Sequence, residues 1–281
     1  MMGSDEADIR HLERGRLDKL IDAQNEIFSD YIIPMKSSRE FFLDFQKSVG
    51  GDLRNVIVAF VKGEMVGYVN PVIDQREGWI GGVGVIPRMR GIGLGRKLMQ
   101  SAEELCRSRG VQDIYLEVID GNDRARGLYE DLGYTATRKF VTAEGKPARF
   151  EGFGDTPRRA DISEIVSLHE GAYKDTCWQR RKTEALVESA RGAECYVVSG
   201  GFVLTRTVDT SGFIPFLGVL PDMRGVGVGT SLAKFALTRL WDLGAFKVVL
   251  YNVNEDPPTL RMLDKFDFKV TLKQTEMKKR L

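Results

Sequence analysis

The alternation of apolar and polar positions predicts a chain built from short strands and amphipathic helices. Helical spacing covers residues 16–28 and 93–110, and Ser38 can cap a further helix that reaches about Val49. Apolar, β-rich runs predict strands at 7–11, 55–61, 64–69, 79–85 and 114–118, with Lys62-Gly63 as a hairpin turn. A helix over 124–132 and strands over 134–141 and 148–153 complete this part of the α/β pattern.

A second, shortened set of elements follows. Helices are predicted near 162–173 and 183–191, and strands at 195–198, 202–208 and 213–219. Glycine, proline and charge interrupt the pattern in Gly154–Arg159, so we place the boundary there and expect domains over 1–153 and 154–281. His169 lies beside Glu170 in a helical pattern, which favours a surface histidine.

A glycine-rich turn joins the strand over 79–85 to the helix that begins near Gly93. The turn Arg90-Gly91-Ile92-Gly93-Leu94-Gly95 lacks side chains where backbone N–H groups of a helix start point outward, so a phosphate group could approach closely. Arg90 adds a positive charge. The turn lacks the Lys-Ser/Thr pair of a P-loop and the third glycine of a dinucleotide fingerprint.

The same turn occurs twice. Arg224-Gly225-Val226-Gly227-Val228-Gly229 repeats it 134 positions after Arg90, and Leu98/Leu232, Gly110/Gly244 and Leu116/Leu250 keep the same register without a gap. The flanking helix and the next strand are therefore repeated with the turn, which indicates two copies of one fold.

Composition narrows the class of protein. The 281 residues are 42% hydrophobic and 29% charged, which is typical of soluble globular domains, and a net charge of +1 argues against a nucleic-acid partner. Three cysteines without paired spacing and the lack of a signal-peptide pattern predict a cytoplasmic protein. With two histidines and no long apolar run, we expect no metal site and no membrane association.

Four motifs of the first half resemble the GNAT superfamily of acyl-CoA-dependent N-acyltransferases in their order and spacing. They are Val85-x-Pro87, Arg90-x-x-Gly93-x-Gly95, Leu116-Glu-Val118, and Asn122-x-x-Ala125-x-x-Leu128-Tyr129-Glu-x-Leu132-Gly133-Tyr134. The resemblance covers most of both halves and implies an α/β protein of two tandem GNAT-like domains, each a mixed, splayed β-sheet flanked by helices.

The resemblance also implies acetyl-CoA as co-substrate, with its pyrophosphate on the glycine turn and its pantetheine arm along residues 83–85. The cofactor-binding residues expected on this basis are Val83, Gly84, Val85, Arg90, Gly91, Ile92, Gly93, Leu94, Gly95, Arg96 and Asn122, and in the second half Leu217, Val219, Arg224, Gly225, Gly227, Gly229 and Thr230. Asn122 can equally be a helix N-cap, and the two roles are compatible.

Acetyl transfer to an amine calls for a base and an acid. An amine with a pKa of ~10 is mostly protonated at neutral pH, and the departing thiolate gains from a proton donor. Glu117 and Tyr129 are the candidates, and they match the base and acid of the family's ribosomal-protein N-terminal acetyltransferases at the same separation. Tyr129 could instead be a core tyrosine, and Glu117 a solvent-facing strand residue. The bulge-prone Gly81-Gly82 could present N–H groups to the thioester carbonyl.

The second half departs from the motif where the chemistry would occur. At the 134-residue offset Glu117 becomes Tyr251, Asn122 becomes Asp256 and Tyr129 becomes Leu263, which cannot give a proton. We therefore expect catalysis in the first half, although the phenol of Tyr251 could act in the second, and some tandem family members work through their C-terminal unit.

The function expected from the sequence is transfer of an acetyl group from acetyl-CoA to a primary amine of a small molecule or peptide, by a monomer or homodimer. The loop over residues 31–37 is expected to cover the amine site. The alternatives are a tandem acetyltransferase whose C-terminal domain is the active one, and a CoA-responsive binding module.

Overall fold

The computed structural model describes residues 7–33 and 35–281. They form two compact units: the first comprises the chain up to Thr137 together with Glu276–Leu281, and the second comprises Arg138–Thr275. This division differs from the predicted boundary in Gly154–Arg159. Residues 138–153 pack within the second unit, because part of their backbone pairs with a strand of that unit.

The first unit is a mixed sheet flanked by four helices. Its strands are β1 (Asp8–His11), β2 (Ile57–Val61), β3 (Glu64–Asp74), β4 (Glu77–Val85) and β5 (Asp113–Ile119), followed by the end of β13 (Lys269–Arg280) and the start of β6 (Thr135–Gly145). Its helices are α1 (Leu17–Ile27), α2 (Arg39–Val49), α3 (Leu94–Ser108) and α4 (Asp123–Asp131). Strands β1 to β4 are antiparallel neighbours, and β4 pairs with β5 in parallel.

The core of the first unit forms where α1 and α3 pack against β3. Leu20 of α1 and Leu98 and Met99 of α3 are fully buried there, as is Val69 of β3. The predicted α2 cap is confirmed, since the Ser38 hydroxyl accepts a hydrogen bond from Phe41 N at 3.1 Å. Helices α1 and α3 also contact β4, the strand on which the candidate site is built.

The second unit repeats the pattern. Its strands are β7 (Arg158–Arg159), β8 (Glu194–Val198), β9 (Gly201–Val208), β10 (Ser211–Phe213), β11 (Leu217–Val219) and β12 (Lys247–Asn254), with the remaining parts of β6 and β13. The order is β13-β6-β12-β10-β9-β8-β7, and β11 pairs with β9. Its helices are α5 (Ile162–Ala172), α6 (Trp178–Arg181), α7 (Thr183–Ala190), α8 (Val228–Asp242) and α9 (Pro257–Lys265).

Two predictions for this part of the chain were wrong. The expected strand over 148–153 does not form, because Phe150 N donates to the Thr238 hydroxyl at 3.0 Å and the Phe150 ring packs on Phe266 instead of joining a ladder. The expected strand over 213–219 is divided into β10 and β11. The predicted boundary segment contains β7, which pairs with β8.

Within residues 7–33 and 35–281, no helix has the length and apolar character needed to cross a bilayer. The same residues contain no group of three or more His, Cys, Asp or Glu side chains placed to hold a metal ion.

Candidate functional site

The glycine turn of the first unit adopts the strand-turn-helix form that its sequence predicts. A 3-10 turn over Pro87–Met89 follows β4, and Gly91 and Gly93 then take left-handed backbone angles with φ of +86° and +90°. Gly93 is the N-cap of α3, and no side chain caps this helix. The first N–H groups of a helix have no partner within the helix, so they are free to meet an anion here.

Arg90 makes several hydrogen bonds within the first unit. Its guanidinium donates to Val85 O at 3.0 Å, to Ile27 O at 2.7 Å, and to both carboxylate oxygens of Asp30 at 2.7 and 2.8 Å. These bonds also hold the pKa of Asp30 below its usual range. Arg90 therefore ties the turn to the end of α1, and Asp30 offsets the charge expected to attract phosphate.

A cavity of about 440 Å³ opens beside this turn. It is lined by most of the predicted cofactor residues of the first half, namely Val83, Gly84, Val85, Arg90, Gly91, Gly93, Leu94, Gly95, Arg96 and Asn122, but not by Ile92. Sequence reasoning missed Phe28, Asp30 and Arg124, which also line the cavity, as does Tyr31 of the loop predicted to cover the amine site. Their approach depends on tertiary folding, because α1 and the loop after β5 lie far apart in the sequence.

Strands β4 and β5 part beside the cavity. Their parallel pairing ends at Trp79 and Tyr115, although β4 continues along β3 as far as Val85. The predicted bulge is confirmed: Val69 pairs with Val83 and Pro71 with Ile80, so one residue of β3 faces Gly81 and Gly82 together. The site therefore combines a splayed sheet and a bulged β4.

Tyr129 lies in this cavity on α4 and is 7% exposed. Burial raises the pKa of its hydroxyl, and the nearby Tyr31 and Tyr68 raise it further. A phenol in this setting keeps its proton at every pH near neutrality, as a proton donor must.

Asn122 performs the structural role expected of it. Its side chain accepts from Ala125 N at 3.2 Å and caps α4. Burial raises the pKa of Tyr31, and a side-chain hydrogen bond with Asn122 opposes that rise. The loop after α1 is thereby linked to the start of α4. Within the predicted 31–37 loop, Pro34 lies outside the described residues.

Glu117 is half-buried on β5, and its Oε2 accepts a hydrogen bond from the indole Nε1 of Trp79 at 2.7 Å. It is not among the described residues that line the cavity containing Tyr129. Glu117 instead lies two residues after Tyr115, the last residue of β5 that pairs with β4, where the two strands part.

The second unit reproduces the turn. Gly225 and Gly227 have φ of +81° and +100°, and Arg224 donates to Val219 O at 3.2 Å and to Ala172 O at 3.0 Å. The pairing of β10 with β12 ends at Phe213 and Val249, which are 134 positions after Trp79 and Tyr115. Both units therefore part their strands at the same place.

Residues 173–180 bridge the parting strands of the second unit. The Tyr173 hydroxyl donates to Leu217 O at 2.8 Å and accepts from Leu217 N at 3.1 Å, which satisfies both backbone groups of that residue. On the other side, Arg180 donates to Tyr251 O at 2.6 Å, and the Thr176 hydroxyl bonds Asn254 Oδ1 at 3.1 Å.

The prediction for His169 was wrong. The residue is fully buried, its Nε2 lies 2.7 Å from Arg180 O, and its ring stacks on Tyr173 with centroids 5.0 Å apart. Burial lowers the pKa of the imidazole, so it is held neutral. His169 thus supports the segment that bridges the second pair of strands.

Fewer of the predicted cofactor residues of the second half line the cavity beside their turn. A cavity of about 400 Å³ beside the start of α8 is lined by Gly227 and Thr230, but not by the other predicted residues, which are Leu217, Val219, Arg224, Gly225 and Gly229. Tyr251 is 53% exposed and stacks on Phe213, and Leu263 is buried.

We expect Tyr173→Phe to lower the free energy of unfolding by about 1–2 kcal/mol, because Leu217 N and O would both lose their partner. Chemical denaturation of the chain measures this. Tyr251→Phe, which removes the hydroxyl of an exposed tyrosine in the same unit, is the control. An unchanged unfolding midpoint for Tyr173→Phe would show that the bridging bonds do not form.

Comparison with protein families gives a match in each half. The model of the "Acetyltransferase (GNAT) family" matches residues 17–134 and again residues 148–268. Together these stretches cover most of the sequence, and each contains one copy of the glycine turn.

Solved structures with the same fold cover nearly the whole chain. A GCN5-related N-acetyltransferase from Sphaerobacter thermophilus is 19% identical, with a TM-score of 0.75 over 99% of this chain and 97% of that one. A putative acetyltransferase from Pyrococcus horikoshii is 18% identical, with a TM-score of 0.70 over 100% and 92%. A tandem GNAT protein from the clavulanic acid biosynthesis pathway is 15% identical, with a TM-score of 0.66 over 98% of each chain. At these identities the likeness concerns the fold alone.

Proposed function

The chain belongs to the acetyltransferase (GNAT) family, and on that premise we propose that its first unit transfers an acetyl group from acetyl-CoA to a primary amine. The observation that carries the proposal is the cavity of the first unit, in which the glycine turn and Tyr129 line one space. The amine belongs to a small molecule or a peptide.

The cavity has the features that a CoA thioester needs. Left-handed Gly91 and Gly93 keep the turn free of side chains, and α3 begins there without a side-chain cap. Arg124 supplies positive charge at the lining, and Arg96 lies there paired with Asp131 at 2.8 Å. Val83, Gly84 and Val85 offer a strand edge beyond the point where β4 and β5 part, and the pantetheine arm can lie along it.

The reaction is a direct attack. The amine nitrogen forms a bond to the acetyl carbon as the carbon–sulfur bond breaks, and the amine proton passes to Glu117 directly or through water. The Tyr129 hydroxyl donates its proton to the departing CoA sulfur. Backbone N–H groups at the Gly81-Gly82 bulge polarise the thioester carbonyl. No acyl-enzyme is formed.

The second unit is proposed to keep its fold without binding acetyl-CoA. The Tyr173 hydroxyl bonds both Leu217 N and Leu217 O, the backbone groups that correspond to those of Val83 in the first unit. In the first unit Arg90 bonds the carbonyl of Ile27, just as Arg224 bonds that of Ala172, so Phe28 corresponds to Tyr173. Phe28 has no hydroxyl and lines the cavity. This contrast favours the first unit over an active C-terminal unit.

Tyr129→Phe is expected to lower kcat on the order of 100-fold, because the thiolate would leave without a proton donor. A thiol-release assay with acetyl-CoA and a panel of primary amines measures the rate, and calorimetric titration should give an acetyl-CoA Kd within about twofold of the wild type. The wild-type rate should not fall as the pH rises towards about 10, the ordinary pKa of tyrosine, since burial raises the pKa of Tyr129.

Full activity of Tyr129→Phe would remove this residue from the mechanism. Binding of acetyl-CoA without acetylation of any amine in the panel would favour a CoA-responsive binding module over an enzyme.

A further inference from the structure

One tryptophan outside the four sequence motifs contacts the proposed base. The indole of Trp79 is 2% exposed, and its Nε1 donates to Glu117 Oε2 at 2.7 Å. Hydrogen bonds to a charged acceptor are about twice as strong as neutral ones, and a buried donor has no water to compete for it. Trp79 therefore restricts the positions that the Glu117 carboxylate can take.

The position of this pair in the sheet matters. Trp79 and Tyr115 are the last paired residues of β4 and β5, and Glu117 follows two residues later on the same face of β5. Beyond this point β4 and β5 have no paired residues in the part of the chain that the structure describes. The indole of Trp79 thus contacts β5 just beyond the last paired residues, where backbone pairing with β4 no longer holds the strand that carries Glu117.

The indole is itself held in place from two sides. The Phe45 ring of α2 packs against it with centroids 6.1 Å apart. Gly81 of the bulge lies so close that a Cβ there would be 2.8 Å from Cζ3 of the indole. The bulge glycine therefore makes room for Trp79, which links the geometry of β4 to the orientation of Glu117.

The second unit provides an internal comparison. At the 134-residue offset Trp79 becomes Phe213 and Glu117 becomes Tyr251, and these two rings stack with centroids 6.0 Å apart. The donor and the carboxylate are absent together, and a ring contact replaces the hydrogen bond. Phe213 also shows that this fold accommodates phenylalanine at the position.

We propose that Trp79 is a positioning residue for acetyl transfer. Its indole N–H holds the Glu117 carboxylate, where β4 and β5 part, in the orientation that accepts the amine proton. The proposal rests on the proposed function of Glu117 as the base. Trp79 touches neither substrate and acts only through Glu117.

The test is a double-mutant cycle measured with the thiol-release assay. Trp79→Phe is expected to lower kcat roughly tenfold, with the KM for acetyl-CoA unchanged, as for a lost hydrogen bond to a charged group. In a chain that already carries Glu117→Gln, Trp79→Phe should lower kcat no further, because the side chain that Trp79 positions can no longer accept the amine proton. Tyr115→Phe is the matched control: it removes the neighbouring cross-strand bond to Glu77 and should leave kcat within about twofold of the wild type.

Replacement of Trp79 by β-(3-benzothienyl)alanine keeps the ring shape, removes only the donor, and should reproduce the loss in kcat if the N–H matters. Wild-type kcat in that protein, or equal fold losses from Trp79→Phe with and without Glu117→Gln, would overturn the proposal and leave Trp79 a packing residue. Full activity of Glu117→Gln would instead refute the base assignment, so the two failures are distinguishable.

Discussion

Gly93→Glu is expected to weaken acetyl-CoA binding by at least roughly 100-fold, whereas Gly227→Glu leaves it unchanged. Gly93 caps α3 in the first cavity, so a carboxylate there would stand where the pyrophosphate binds and would occupy the positive end of the helix. Calorimetric titration of each variant with acetyl-CoA measures the effect.

The two glycines are closely matched. Gly93 and Gly227 cap helices of equal length, α3 and α8, and their φ angles are +90° and +100°. The backbone strain that a side chain introduces is therefore similar in both variants, and a difference in binding reports the site rather than the fold. Equal losses in the two variants would contradict the assignment of binding to the first unit alone.

Glu117→Gln is expected to lower kcat between roughly 100-fold and 10,000-fold, with the Kd for acetyl-CoA unchanged. The amide keeps an oxygen that can accept from Trp79, so the geometry is retained while the capacity to take a proton is lost. Because an amine needs less help from a base as more of it is deprotonated, the deficit should shrink as the pH approaches the pKa of the amine.

Glu77→Gln is the control, since Glu77 lies on β4 near the same splay and accepts from the Tyr115 hydroxyl instead. Its kcat should stay within about twofold of the wild type. If both variants lose the same activity, the effect would come from charge near the strands and not from a base at residue 117.

Local sequence signals predicted the elements that carry the glycine turn. Gly91 and Gly93 adopt left-handed angles that other residues rarely take, and the gap-free repeat around Gly225 and Gly227 indicated a second copy of the same fold. The capping residues Ser38 and Asn122 also behave as their chemistry predicts. These features depend on neighbours within a few residues.

Features that depend on contacts between distant segments were not predictable in this way. Arg90 looked like a phosphate ligand, yet its partners Ile27 and Asp30 come from the end of α1 and the loop after it. His169 looked exposed on its helix, but Arg180 and Tyr173 fold over it. Periodicity describes one element at a time and cannot report which segment covers it.

The division of the chain into two units also depends on contacts between distant segments. Glu276–Leu281 completes the first unit, although it stands at the other end of the sequence. There Lys279 pairs with the buried Glu103 at 2.6 Å, and Leu281 N donates to Gln112 O at 2.8 Å. Periodicity along the sequence does not identify such partners.

Native mass spectrometry of the purified chain titrated with acetyl-CoA counts the molecules bound to each chain, and so tests whether the first unit alone binds the thioester. We expect one equivalent of acetyl-CoA, lost in Gly93→Glu and retained in Gly227→Glu. Two equivalents, or one that is lost only in Gly227→Glu, would contradict the claim that the first unit alone holds the thioester.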